Sequence, residues 1–285
     1  MEVKVIDLYE YYKVKKPENA VGKLCCYILN QNKNININRK HPAMLVIPGG
    51  GYGNVSGREA EPVALKFLNK DYNAFVLNYS VAPVRFPTQL IEAGMAMAYI
   101  RENAQTLNVI PNKIGVVGFS AGGHLAGLIS LLHNDKCLDF LRQNDKNLSL
   151  KPNATLYMYP VVSYNDRAHK PSFDNLCGDN EELKKSLCLE NLVTEDSPPC
   201  YIVSTFEDTC VPCQNSLKLA TAFDNTKVPF SLHIFEKGCH GMSIGEQSVY
   251  NTALNERLMQ MAKDFPKWVD MALVWLEERD FKIED

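Results

Sequence analysis

Apolar runs of strand length alternate with helical patterns along most of the chain. The runs lie at Ala43 to Pro48, Asn73 to Tyr79, Lys113 to Gly118, Ala154 to Pro160, Cys200 to Thr205 and Phe230 to Phe235. Helical patterns occur at Glu61 to Asn69, Gln89 to Asn103, Ala121 to His133, Asn215 to Asn225 and Phe265 to Arg279. Continuous apolar runs are typical of strands buried on both faces. The alternation predicts an α/β fold, a doubly wound and mostly parallel sheet with helices on both faces.

Four segments fall outside this alternation. Gly22 to Leu29 is predicted to be an antiparallel edge strand, and the Asn- and Lys-rich stretch Asn30 to Lys40 a solvated turn after it. Two longer segments, Asp135 to Pro152 and Val162 to Pro198, interrupt the later half of the pattern. Insertions at the carboxyl ends of parallel strands form lids or pocket walls.

The domain organisation follows from these interruptions. We expect one domain over residues 1–285, in which about 162–198 form a small cap with a short helical pattern at Asn180 to Cys188. The chain shows no internal repeat and no linker.

Composition narrows the function classes. The 285 residues are 46% hydrophobic, enough for one large core, and the formal net charge of −3 favours neither nucleic acid nor an anionic membrane. Met1 to Lys16 lacks the apolar core of a signal peptide, and the 9 cysteines are scattered as suits free thiols in a reducing compartment. A cytoplasmic protein with a small-molecule partner is expected.

The sequence Gly118-Phe119-Ser120-Ala121-Gly122 has the form G-x-S-x-G. An apolar strand precedes it and an Ala-, Gly- and Leu-rich helix follows, which is the context of the nucleophile elbow of α/β hydrolases. The small residues on either side permit the strained backbone that exposes the hydroxyl at the start of a helix. Ser120 is the candidate nucleophile, and the competing interpretation is an ordinary strand-to-helix turn.

A glycine-rich loop, Pro48 to Gly53, follows the first long apolar strand. Glycines let backbone N–H groups converge on a developing oxyanion, and esterases with this elbow carry such a loop here. Gly50, Gly51 and Ala121 are the expected donors, and Tyr52 is expected to border the acyl site. The phosphate-binding patterns G-x-G-x-x-G and G-x-x-x-x-G-K-[ST] are absent, and a purely structural turn remains the alternative.

The general base is sought among six histidines. His240 lies in a glycine-flanked loop after the final predicted strand, where α/β hydrolases place their histidine. His124, on the helix after the nucleophile, is a rival that we expect to serve packing. Of the others, His41 lies before the glycine loop and His133 on the same helix as His124. His169 lies in the second insertion and His233 inside a strand.

The acid is expected after the strand Cys200 to Thr205, which leaves Glu207 and Asp208 as alternatives. Either carboxylate could orient the imidazole, but adjacent residues leaving a strand point in opposite directions, so only one can serve. Cys210 and Cys213 form a C-x-x-C pair nearby, which without a second pair of ligands is weak evidence for a metal site.

The motifs together resemble the acetyl-esterase branch of the α/β hydrolases, the acetyl-xylan-esterase-like and related carbohydrate esterases. The resemblance lies in VIPGGGYG (Val46 to Gly53), REAEPVALKFL (Arg58 to Leu68), FVLNYSVAP (Phe75 to Pro83), GFSAGGHLA (Gly118 to Ala126), EDSPPCYIV (Glu195 to Val203), EDTCVP (Glu207 to Pro212) and FEKGCHGMS (Phe235 to Ser243). It implies the α/β-hydrolase fold, a triad of Ser120, Asp208 and His240, and Gly50, Gly51 and Ala121 as amide donors. Many relatives have His at the position of Pro48 and Gly at that of Cys239.

The function that the resemblance implies is hydrolysis of short-chain, acetyl-type carboxylic esters of carbohydrates, through an acyl-enzyme on Ser120. No cofactor or metal is needed for this chemistry. The same triad also cleaves amides, so an amidase, formamidase or peptidase is an alternative. A binding protein with this fold that has lost catalysis is a further alternative, which the presence of all three triad residues disfavours.

Overall fold

The computed structural model describes residues 1–165, 167–250 and 260–284. Eight strands form one sheet in the order β1-β2-β4-β3-β5-β6-β7-β8. Their bounds are β1 Glu2–Asp7, β2 Lys23–Ile28, β3 His41–Ile47, β4 Asn73–Asn78, β5 Val109–Phe119, β6 Ala154–Met158, β7 Cys200–Thr205 and β8 Phe230–Phe235. The pairs β1–β2 and β2–β4 are antiparallel, and all other neighbours are parallel. This confirms the predicted α/β-hydrolase architecture.

Helices cover both faces of the sheet. In the described residues they are α1 Leu8–Tyr12, α2 Glu61–Leu68, α3 Thr88–Glu102, α4 Ala121–Leu131, α5 Lys170–Cys177, α6 Glu181–Ser186, α7 Gln214–Asn225 and α8 Trp268–Glu277. The buried side chains of α1, α3, α4 and α7 share one apolar cluster, and those of α2 and α8 share the cluster on the opposite face. Strands β3, β6 and β7 are buried throughout, which is why their sequences are continuous apolar runs.

The strand predicted at Gly22 to Leu29 is antiparallel as expected, but the prediction that it lies at the edge of the sheet is wrong. β2 does not lie at the edge, because β1 pairs along its outer side from Glu2 to Asp7. β1 gives little hydrophobic signal, since charged residues precede both Val3 and Val5 and the two valines are 51% and 60% exposed. The segment 30–40 is mostly exposed, as expected of a solvated turn.

The second insertion connects β6 to β7 and folds into short helices. It contains α5, α6 and a short 3₁₀ helix at Leu189–Asn191, whereas the sequence pattern predicts a helix only in the region of α6. The earlier insertion forms a 3₁₀ helix at Lys136–Arg142. At Gly94 of α3 a Cβ atom would lie 2.6 Å from the Leu138 side chain, so this 3₁₀ helix packs directly on α3.

Candidate active site

The backbone at Ser120 has the strained conformation expected of an elbow. Its φ is 53° and its ψ is −119°, at the junction of β5 and α4. A Cβ at Gly118 would lie 2.3 Å from the Gly122 carbonyl oxygen, and a Cβ at Gly122 would lie 2.2 Å from the carbonyl oxygens of Ile47 and Pro48. Only glycine fits at either position, so the tight packing of helix on strand explains the glycines of the motif.

A continuous hydrogen-bonded chain connects three of the predicted residues. Oγ of Ser120 lies 2.8 Å from Nε2 of His240, and Nδ1 of His240 lies 2.6 Å from Oδ2 of Asp208. A carboxylate only accepts, so Nδ1 carries the proton that binds Asp208. Nε2 is then the acceptor for the Ser120 hydroxyl. The structure therefore brings together Ser120, Asp208 and His240. The first two are 88 residues apart in the sequence, and the last two are 32 residues apart.

Asp208 and Glu207 have different surroundings. The Asp208 side chain is fully buried, and its Oδ1 accepts the N–H groups of Cys210 and Val211, both at 2.9 Å. Glu207 instead points to solvent and forms an ion pair with Lys237 at 2.7 Å. Hydrogen bonding to Lys237 lowers the pKa of Glu207. The side chain that meets His240 is thus that of Asp208.

The glycine loop borders the same cleft. Gly50 and Gly51 have φ of 126° and 63°. The Gly50 carbonyl accepts the N–H groups of Gly53 and Asn54 at 3.0 and 3.1 Å, which closes the loop into a tight turn. Within residues 1–165, 167–250 and 260–284, the N–H groups of Gly50, Gly51 and Ala121 have no hydrogen-bond acceptor. Such groups remain available to an oxyanion.

Tyr52 does not border the cleft as the sequence suggested. Its side chain is 1% exposed, and its hydroxyl lies 2.9 Å from Nδ1 of His124. Nε2 of His124 lies 2.8 Å from the Leu187 carbonyl oxygen, so this nitrogen donates and Nδ1 accepts from Tyr52. Burial lowers the pKa of His124 to about 4. The Tyr52 ring is therefore packed inward, away from the cleft that the neighbouring glycines border. His124 has the packing role expected of it.

The cleft has a volume of about 540 Å³ and includes residues that the sequence patterns did not indicate. Beside Ser120 and His240 it is lined by side chains from the glycine loop and its exit, from the insertion and from the acid loop: Asn54, Ser56, Arg58, Glu59, His169, Pro171, Asn175 and Cys210. Nδ2 of Asn175 donates to the Gly51 carbonyl at 2.9 Å, which joins α5 to the glycine loop.

Among the residues that the structure describes, His169 is the one other histidine that lines the cleft. Its Nδ1 lies 2.8 Å from Oγ of Ser172. Burial, together with the nearby His240, lowers the pKa of His169. No motif or regular spacing marks this residue in the sequence, because its position depends on how the insertion folds back over the sheet.

The C-x-x-C pair is split between two environments, since Cys210 is exposed and Cys213 is buried. In the part of the chain that the structure describes, no group of three or more His, Cys, Asp or Glu side chains is arranged to hold a metal ion. The same part contains no helix that is both long and apolar enough to cross a bilayer.

Comparison with known proteins gives a consistent set of relatives. A family model described as BD-FAE matches residues 31–223. Endo-1,4-beta-xylanase B from Butyrivibrio fibrisolvens is 34% identical over 221 residues, which are 74% of this chain and 34% of that protein. Acetylxylan esterase from Xylanibacter ruminicola is 31% identical over 235 residues, 79% of this chain and 46% of that protein. The chain therefore spans between about a third and a half of the length of these curated relatives.

Several solved structures match over nearly the whole of both chains. One of them is the crystal structure of an acetyl ester-xyloside bifunctional hydrolase from Caldicellulosiruptor lactoaceticus, with a TM-score of 0.82 and 34% identity. The match covers 98% of this chain and 97% of that chain.

Proposed function

The chain belongs to the BD-FAE family of α/β hydrolases, and on this premise we propose that it is a serine carboxylesterase that removes acetyl groups from carbohydrate esters. The observation that carries the proposal is the chain of hydrogen bonds from Ser120 through His240 to Asp208, at 2.8 and 2.6 Å. A hydroxyl with an imidazole acceptor, oriented in turn by a buried carboxylate, is the arrangement of an activated nucleophile.

The mechanism is a two-step acyl transfer. Ser120 attacks the ester carbonyl carbon while Nε2 of His240 takes the hydroxyl proton, and the carbonyl oxygen becomes an oxyanion that accepts from the free backbone amides. Collapse of this intermediate breaks the bond to the alcohol, which leaves with the proton from His240. Water then attacks the acyl-enzyme with His240 again as base, which releases acetate and restores Ser120.

Asp208 supports both steps without losing its charge. Its Oδ1 is held by two backbone N–H groups, and its Oδ2 fixes the tautomer in which Nε2 of His240 is free to accept a proton. When His240 becomes an imidazolium ion, the buried carboxylate at 2.6 Å stabilises the new positive charge. The triad thus lowers the barrier to each proton transfer.

The polarity of the cleft supports a hydroxyl-rich leaving group. The side chains of Asn54, Ser56, Arg58, His169 and Asn175 present hydrogen-bond donors and acceptors around Ser120. A long fatty acyl chain or an aliphatic alcohol would displace water from this polar cleft without offering hydrogen bonds in return, at a cost in binding free energy. The named activities of the relatives, an acetylxylan esterase and an acetyl ester-xyloside hydrolase, support the same substrate class.

The first test compares the wild type with Ser120→Ala and His240→Ala on p-nitrophenyl acetate. We expect each variant to lose about 10⁴-fold or more in kcat, since triad residues act as a unit and their losses do not add. Ser186→Ala, which removes an exposed hydroxyl on α6 that does not line the cleft, is the control and should keep kcat within about twofold. A Ser120→Ala variant with full activity would contradict the proposal.

The second test addresses the substrate. Acetate release from acetylated xylobiose is compared with hydrolysis of p-nitrophenyl butyrate and of p-nitroacetanilide. The proposal predicts the highest kcat/KM for the acetylated sugar. A higher value for the anilide would identify an amidase, and a higher value for butyrate would remove the carbohydrate from the proposal while leaving the esterase.

A further inference from the structure

A buried carboxylate with no step of its own in acyl transfer lies beside the cleft. Glu59 follows the glycine loop in a 3₁₀ helix, Gly57–Glu59, and is only 3% exposed. It borders the cleft together with Ser120 and His240. Both of its oxygens accept hydrogen bonds, and both donors are uncharged. A carboxylate held in this way is costly to bury and is expected to have a specific role.

The first contact of Glu59 is with the glycine loop. Its Oε2 accepts the N–H of Gly49 at 2.8 Å. Gly49 immediately precedes Gly50 and Gly51, whose amides face the cleft. A Cβ at Gly49 would lie 2.7 Å from this carboxylate oxygen and 3.0 Å from Cβ of Ser120. The carboxylate, the loop and the nucleophile therefore meet at one backbone position.

The second contact leads to the histidine loop. Oε1 of Glu59 accepts the hydroxyl of Tyr159 at 2.7 Å, and the same phenolic oxygen accepts the N–H of Ser243 at 2.8 Å. The Tyr159 ring packs edge-to-face on His240, with centroids 5.1 Å apart. Burial and the neighbouring Glu59 raise the pKa of Tyr159 far above its usual value, which keeps its hydroxyl a donor.

The residue before Glu59 strengthens the same connection. The Arg58 guanidinium donates to the Gly241 carbonyl at 2.8 Å, directly after His240. In the opposite direction, the Ser243 hydroxyl donates to the Arg58 carbonyl at 2.6 Å. The backbone around Glu59 and the loop that carries His240 are thus bonded reciprocally.

From these contacts we infer that Glu59 is a positioning residue for acyl transfer: through Gly49 and Tyr159 it fixes the oxyanion loop and His240 relative to each other. The inference rests on the proposed function. Transition-state stabilisation depends on donors and base being held in place before the reaction, and a displacement of about 1 Å can cost about 100-fold in rate. A group that acts in this way affects kcat and leaves substrate binding largely unchanged.

The test uses Glu59→Gln, which keeps the size of the side chain but replaces one acceptor by an NH₂ donor. Glu61→Gln makes the same chemical change two residues later, at an exposed position, and is the matched control. With p-nitrophenyl acetate we expect kcat of Glu59→Gln to fall about 10- to 100-fold and KM to stay within about threefold of the wild type. Glu61→Gln should match the wild type in both constants.

Tyr159→Phe tests the same connection from its other end. It should also lower kcat at nearly constant KM, and the double variant should lose less than the product of the two single losses, because both remove one connected unit. If thermal unfolding shows that Glu59→Gln does not fold, the comparison of Tyr159→Phe with the wild type decides the inference in its place.

Each outcome has one meaning. Unchanged kcat in folded Glu59→Gln and Tyr159→Phe would overturn the inference while the esterase assignment stands. A rise in KM at constant kcat would overturn it as well, by assigning Glu59 to substrate binding. An inactive wild type would instead reject the proposed function itself.

Discussion

At the scale of single residues, two adjacent carboxylates have opposite environments. Asp208 is buried against His240, with its second oxygen held by two amides, whereas Glu207 faces solvent beside Lys237. The residues alone left both possible, and the family resemblance implied Asp208. The turn after β7 separates them, because it directs the Glu207 side chain outward and the following Asp208 side chain inward.

This difference predicts the effect of two matched substitutions. Asp208→Asn keeps the shape of the side chain but can present an amide to Nδ1 of His240, which favours the wrong tautomer, so we expect kcat to fall about 10³- to 10⁴-fold. Glu207→Gln removes an exposed ion pair with Lys237 and keeps an oxygen that can accept the Gly238 N–H, so kcat should stay within about twofold. Steady-state hydrolysis of p-nitrophenyl acetate measures both. Equal losses in the two variants would contradict the assignment of Asp208 as the acid.

Local motifs predict only part of the residue-scale picture. Short sequence motifs indicate some of the site residues: Ser120, His240, Gly50 and Gly51. Each of them is recognisable from the residues next to it in the sequence. Glu59 is different, because its partner Tyr159 is 100 residues away and the hydrogen bond exists only once the chain has folded. Long-range polar contacts of this kind leave no periodicity or spacing to recognise.

At the scale of secondary-structure elements, the junction of β5 and α4 determines how closely helix and strand can approach. The Gly122 backbone lies against the carbonyl groups of Ile47 and Pro48, so the helix that carries the proposed nucleophile touches the start of the glycine loop. Backbone contact therefore holds two parts of the candidate site against each other, the serine elbow and the glycine loop.

Gly122→Ala tests this packing. Its Cβ would approach two carbonyl oxygens to 2.2 Å, and since backbone cannot rotate away as a side chain can, we expect a loss of about 3 kcal/mol or more in the free energy of unfolding. Gly57→Ala is the control, because nothing lies within 4 Å of a Cβ there, and its unfolding free energy should change by less than about 1 kcal/mol. Urea unfolding at constant m-value measures both. A Gly122→Ala variant as stable as Gly57→Ala would contradict the tight contact.

The elements themselves divide into those with a strong hydrophobic signal and those without. The largely buried strands β3 to β7 and the long helices were predictable because continuous or periodic apolar residues follow from burial on the sheet. The edge strand β8 is only partly buried but keeps an alternation of apolar residues from Phe230 to Ile234. β1, α1 and α5 were missed. β1 lies at the edge and exposes its valines, and α1 and α5 are only 5 and 8 residues long, too short for a clear period.

At the scale of the whole molecule, buried histidines connect the stability of the fold to pH. His124 is neutral in the folded state, with Nε2 donating to Leu187 and Nδ1 accepting from Tyr52. Burial lowers its pKa from 6.5 to about 4. Burial also lowers the pKa values of three further histidines, His133, His169 and His233. All four changes have the same sign.

The consequence is a loss of stability in mild acid. Between pH 6.5 and 4 the unfolded chain binds a proton at His124 that the folded chain does not, so the free energy of unfolding must fall as the pH falls through this window. The shift corresponds to a loss on the order of 3 kcal/mol from this residue, fully expressed only near pH 4 and absent above about pH 7. Urea unfolding from pH 4.5 to 7.5 measures the slope. His124→Gln should flatten this dependence on pH more than His233→Gln, since the His233 side chain is only partly buried. An equal slope in the wild type and both variants would show that His124 is not the residue responsible.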